Sequence, residues 1–124
     1  MTESRLWAVR GAAQAEHNDE EAILGATEDL MGALLERNGL EATAIVSCIF
    51  TVTGDLDAQF PAVAARRLGL GAVPLICARE IDVPGAMERV IRVIVHYYAA
   101  TDHEPAHTYL GEAQRLRSDL HSAQ

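Results

Sequence analysis

The run Val90-Ile91-Arg92-Val93-Ile94-Val95-His96-Tyr97-Tyr98 constrains the fold more than any other stretch. It is rich in β-branched and aromatic residues, so it reads as a strand. It is apolar at both odd and even positions, and side chains alternate between the two faces of a strand. Both faces therefore need cover. The run 44–52 has the same property. Arg92 interrupts the pattern. A buried guanidinium without an anionic partner costs several kcal/mol. Arg92 thus needs an acidic neighbour, a bound anion or a wet cavity. Glu80, at the end of a neighbouring strand, is the acidic partner that the chain itself offers.

Around these runs the chain reads as β-α-β-α-β-β with a short finish. A first strand covers residues 6–9. A helix follows over 19–38, with Asn18 and Glu21 in capping-box spacing and Gly39 as its stop. Its apolar stripe is Ile23, Ala26, Leu30, Met31, Leu34 and Leu35. A strand at 44–52 leads through a loop to a second helix over 60–68, with Pro61 in its first turn and Gly69 closing it. A strand at 72–77, a turn at 82–85, the strand at 90–98, a loop at 99–105, an extended piece at 106–110 and a short helix at 111–117 complete the domain. Residues 1–117 form one unit and 118–124 a polar tail. This is a single α+β (α/β-like) domain with a mixed sheet of about five strands and two main helices on one face. Two helices cannot cover both faces of the sheet. The other face is expected to pack against further copies of the chain.

Charge narrows the partners. The net charge is −8, and all ten basic side chains are arginine. That balance does not suit a nucleic-acid backbone. A small anion remains possible within a local cluster of arginines. The longest apolar run, 90–100, is too short to span a bilayer and contains Arg92 and His96, so no membrane partner is expected. Cys48 and Cys77 lie in apolar strands of a chain with no signal-peptide pattern. They read as reduced thiols of a cytoplasmic protein.

Motifs for conventional catalysis are absent. His103-Glu104-Pro105-Ala106-His107 matches a zinc-binding pattern by letter, but Pro105 breaks the helix that the pattern needs. It reads as a polar loop, with no metal. Gly69-Leu70-Gly71 follows a helix and precedes a strand, the wrong order for a dinucleotide site. No nucleophile–base pair and no cofactor motif can be assigned. From the residues alone, Arg92 and Glu80 are either a structural ion pair or part of a ligand site. The chain also suits an oligomeric α/β regulatory module that holds a metabolite between subunits without catalysis.

Seven segments, in order, carry a resemblance: VRGA (9–12), NDEEAILGAT (18–27), GDLDAQFPAVAAR (54–66), VPLICAREIDVPG (73–85), RVIRVIV (89–95), TYLGEA (108–113) and LRSDL (116–120). The chain resembles the monofunctional chorismate mutases of the trimeric α/β class. The resemblance implies a homotrimer with active sites between subunits, chorismate and prephenate as ligands, and no cofactor. It also implies a pericyclic reaction, which needs no proton transfer and no covalent intermediate. Arg92 matches the arginine that faces the breaking ether oxygen, and Glu80 the glutamate that binds the ring hydroxyl. Cys77 matches a position beside the same hydroxyl. Arg10 and Tyr109 match carboxylate contacts, Phe60 an apolar wall and Arg66 a basic residue at the mouth. Leu116 and Arg117 match a C-terminal segment over the site. Val63 and Ile76 stand where some members of that family carry a lysine and a threonine, and Ser118 replaces the proline of the usual LRPDL. Without that lysine, Arg66 and Arg67 are expected to carry more of the steering of a dianion.

Overall fold

A computed structural model of the chain describes residues 3–117. Its strands are β1 (Ser4–Gln14), β2 (Ile45–Val52), β3 (Leu75–Arg79), β4 (Val90–Ala100) and β5 (Thr108–Tyr109). They form one mixed sheet in the order β3-β2-β4-β1-β5. β4 runs antiparallel to β1 and β2, while β2 and β3, and β1 and β5, pair in parallel. Helices α1 (Glu20–Arg37) and α2 (Ala62–Ala65) supply one layer. Among the described residues, no helix is long and apolar enough to cross a membrane.

Register decides which side chains meet the helices. Residues paired across neighbouring strands share a face. Val93 is paired with Gly11 on one side and Phe50 on the other. This face continues through Val9, Ala13, Cys48, Ile91, Val95 and Tyr97, all buried. The apolar stripe of α1, with Ile23, Leu30, Met31 and Leu34, joins the same core. Each such side chain contributes about 1.5–3 kcal/mol when fully buried. Gly11 permits the close approach. A Cβ there would stand 2.8 Å from the Thr108 carbonyl oxygen and 2.9 Å from Leu30 Cδ1, distances that real side chains do not tolerate.

The other face is largely open. Leu6, Ile49, Ile76 and Tyr98 are 47, 37, 61 and 54% exposed on it. One end is covered. After β5 the chain makes a 3-10 turn (Gly111–Arg115). It packs Tyr109, Ala113 and Leu116 onto Ala12 and Val90.

Several expected boundaries move. β1 extends to Gln14, because β4 pairs with every residue from Ser4 onward. In the sequence, Arg10 and Gly11 looked like its end. The cap of α1 is Asp19, whose side chain accepts from the Ala22 amide. Asn18 is used elsewhere. Its Nδ2 donates to Asp57, and its Oδ1 accepts from the Asp57 and Ala58 amides. The second helix begins at Ala62 rather than 60. It then widens through Arg66–Leu70, where Gly69 at φ 95° breaks it. β3 spans 75–79 rather than 72–77, following its pairing with Cys48 through Val52. Ser118 and the tail at 118–124 lie outside the described residues.

Candidate active site

β4 places Arg92 on the open face, between Thr51 of β2 and Ala12 of β1. Both neighbours are short, so they leave space above the sheet. Glu80 follows β3, and its amide donates to the Val52 carbonyl at 2.8 Å. That bond brings its carboxylate across Thr51. Arg92 Nε lies 2.8 Å from Glu80 Oε1, and Thr51 Oγ1 donates to the same oxygen at 2.8 Å. One carboxylate oxygen therefore takes both bonds. Glu80 Oε2 and the terminal guanidinium nitrogens have no further partner among the described residues.

The side chain of Arg92 is 44% exposed and that of Glu80 26%. The expectation of a buried, costly charge is thus corrected. Among the described residues, this part of the sheet is covered only at its edge, by Leu116 and Arg115. The two readings of the pair are also not exclusive. The side chains touch, and together they line a cavity of about 530 Å³ with Met87, Val90, Leu116 and Arg115. A smaller hollow of about 170 Å³ adjoins it at Arg92 and is lined by Arg10, Thr51 and Tyr109. β5 puts Tyr109 there by pairing it with Ala12. Together the two hollows present several cations, one carboxylate and a phenol. They suit a small anion that also carries a hydroxyl group.

Phe60 and Cys77 lie elsewhere. Cys77 is paired with Phe50, so its side chain is on the helix side of the sheet. With Phe60, Leu56 and Arg79 it lines a separate cavity of about 380 Å³. Phe60 is 66% exposed. Arg66 is exposed just after α2 and lines neither the Arg92 cavity nor the hollow beside it. Leu116 is buried against the Arg92 cavity, while Arg117 is exposed. Within one chain the expected residues therefore form two groups. Arg10, Glu80, Arg92, Tyr109 and Leu116 make one. Phe60 and Cys77 make the other.

Other expectations resolve locally. The two cysteines are free, and Cys48 is buried while Cys77 is half-buried. Burial pushes the Cys48 thiol up to about 11, which keeps it unreactive. Residues 103–107 are irregular chain. His103 Nε2 lies 2.7 Å from Tyr97 Oη, and His107 Nδ1 accepts the Arg10 amide at 3.0 Å. The two histidines thus serve different partners. Arg89 sits at φ 51°. Its amide donates to the Asp55 carboxylate at 3.0 Å, and its Nε donates to the Ala15 carbonyl at 2.9 Å. This tie launches β4 two residues before Arg92. Thr51 and Arg115 were also missed. A threonine in a strand carries no signal of its own, and only its register opposite Arg92 reveals it.

Fold and site define a small α+β domain with an arginine-rich, anion-accepting cavity on the uncovered face of its sheet. The family model described as chorismate mutase type I matches residues 6–120. A chorismate mutase AroH from Thermus thermophilus is 48% identical over 118 residues, covering 94% of this chain and 97% of the relative. The Bacillus subtilis chorismate mutase AroH is 36% identical over 114 residues, 90% of each chain. The structure of a chorismate mutase from Clostridium thermocellum superposes with a TM-score of 0.84 at 46% identity, covering 89% of this chain and 99% of that one. This chain belongs to the type I chorismate mutase family.

Proposed function

We propose that the protein is an isomerase that rearranges chorismate to prephenate in sites completed between the subunits of a homotrimer. The observation that carries the reading is the Thr51–Glu80–Arg92 constellation. In the rearrangement one C–O bond breaks as one C–C bond forms, and no proton moves. The site must hold the substrate in a compact conformer and stabilise the charge growing on the ether oxygen. Glu80 fixes the plane of the guanidinium through Nε. The terminal nitrogens of Arg92 then donate to the ether oxygen and one carboxylate. Glu80 Oε2 accepts the ring hydroxyl, while Arg10 and Tyr109 bind carboxylate oxygens. Leu116 excludes water from one side, with Arg117 beside it at the rim.

Two observations support shared sites. Phe60 and Cys77 lie in a cavity separate from Arg92 in the same chain. The open face exposes Leu6, Ile49, Ile76 and Tyr98, which subunit packing would bury. A neighbouring copy would bring its Phe60, Cys77 and Arg66 to the cavity of Arg92. We also assign the protein to the cytoplasm, a reading that its two unpaired cysteines fit.

Chorismate loss, followed by ultraviolet absorbance, tests the reaction. Turnover no faster than the uncatalysed rate would reject it. The shared site has its own test. Arg92→Ala and Phe60→Ala variants should each be nearly inactive, and co-expression should regain turnover through mixed trimers. No recovery would mean that each site lies within one chain. Light scattering should give about three times 13.4 kDa, and a monomer mass would overturn the assembly.

A further inference from the structure

We infer that His107 is a positioning residue of this site: its Nδ1 accepts the Arg10 backbone N–H, and protonation of that nitrogen removes the tie that sets Arg10 against the segment carrying Tyr109. The geometry is specific. β5 is two residues long and pairs only with Gly11 and Ala12. The Arg10 amide lies just beyond that ladder. The His107 ring supplies the acceptor there, at 3.0 Å. A backbone N–H can only donate, so Nδ1 must be bare and the ring proton must sit on Nε2. Tyr109 is two residues further along the same segment. One imidazole thus joins the two residues proposed to hold carboxylate oxygens.

An imidazolium cannot make this bond, because both of its nitrogens donate. Burial lowers the His107 pKa from its ordinary 6.5, and the charges of Arg10 and Arg117 lower it further. Arg10 comes from β1 and Arg117 from the chain's last described turn. Among the described residues no carboxylate offsets them. The sign follows from linkage. A histidine pKa depressed by folding stabilises the native arrangement fully above about 6.5, and that contribution is lost as pH falls through the lower folded value. The acid limb of activity should therefore report the His107 ring. It should appear mainly in KM, because a carboxylate contact is made equally before and during the reaction. This kinetic consequence rests on the carboxylate role of Arg10.

The test compares His107→Asn and His107→Leu with the wild-type chain. Asn Oδ1 hangs from Cγ as His Nδ1 does, so it accepts the Arg10 amide but does not titrate. His107→Asn should keep wild-type kcat/KM at pH 8 and lose the acid limb. His107→Leu should raise KM by up to about ten-fold at pH 8, the scale of one lost hydrogen bond. In ligand-free protein, the Arg10 amide resonance should titrate with the His107 ring and become flat in His107→Asn. An acid limb that survives in His107→Asn, or an Arg10 amide that ignores the ring, would overturn the inference. If the amide titrates with the ring while KM stays constant, the hydrogen bond stands and the carboxylate role of Arg10 falls.

Discussion

Phe50 and Ile49 are neighbours in β2, yet Phe50 is fully buried and Ile49 is 37% exposed. Val93 and Arg92 are neighbours in β4 with the same contrast. In both pairs one side chain enters the layer under α1 and the other faces the open side of the sheet. A continuous apolar run does not distinguish the two faces, but the supply of helices does. The core of the covered face is buried, and it holds packed hydrocarbon and a thiol whose ionisation is suppressed. The open face is accessible to solvent, so it can hold Arg10, Arg92 and Glu80 without the penalty of isolated buried charge. Its exposed apolar residues then become the natural contact for other subunits.

The comparison can be broken in several places. The largest effect should come from Phe50→Ala, which removes a fully buried ring and should cost about 3–5 kcal/mol in denaturant unfolding. Ile49→Ser should act differently, by lowering the mass seen on dilution in light scattering. Equal losses of stability, with assembly untouched by Ile49→Ser, would erase the distinction between faces. Arg92→Lys keeps the charge and loses the planar fork. It should lower kcat by roughly a hundred- to a thousand-fold, the scale of a lost transition-state donor, with the assembly intact. Wild-type kcat would remove Arg92 from that role.

Smaller effects sharpen the picture. Thr51→Val deletes the hydroxyl that donates to Glu80 at almost constant shape. It should lower kcat/KM by about ten-fold, and Thr51→Ser should restore it. A Thr51→Ser variant as weak as Thr51→Val would mean that packing, not the hydrogen bond, matters there. Cys77→Ala should change steady-state rates by no more than about two-fold, a few tenths of a kcal/mol, since the hydroxyl contact expected at this position need not use the sulfur. A collapse of activity would give the thiol a chemical role.

Much of this was legible in the residues themselves. The two-sided character of the 90–98 strand, the α1 stripe and the order of elements follow from local pattern and spacing, and Glu80 was legible as a candidate partner of Arg92. The ordered segments also carried the family resemblance. Boundaries were less legible where long-range pairing extends an element past its local signals, as at Arg10 and Gly11 in β1. Thr51 and His107 were invisible as functional residues. Thr51 belongs to no motif, the zinc-like letters that end at His107 point to a different chemistry, and each residue gains its role from one contact with a residue distant in sequence.

The sequence by itself thus determined that a mixed sheet with one helical layer would form, and that an arginine would stand in its central strand. Periodicity and side-chain chemistry are local properties, so one chain of letters suffices to read them. Only the tertiary structure decided that Arg92 stays half-exposed and paired with Glu80. It also decided that Cys77 and Phe60 lie apart from that pair, and that His107 clamps Arg10. The physical reason is register. A strand exchanges its faces with every single residue of shift, and register is set by partners that the local sequence does not contain.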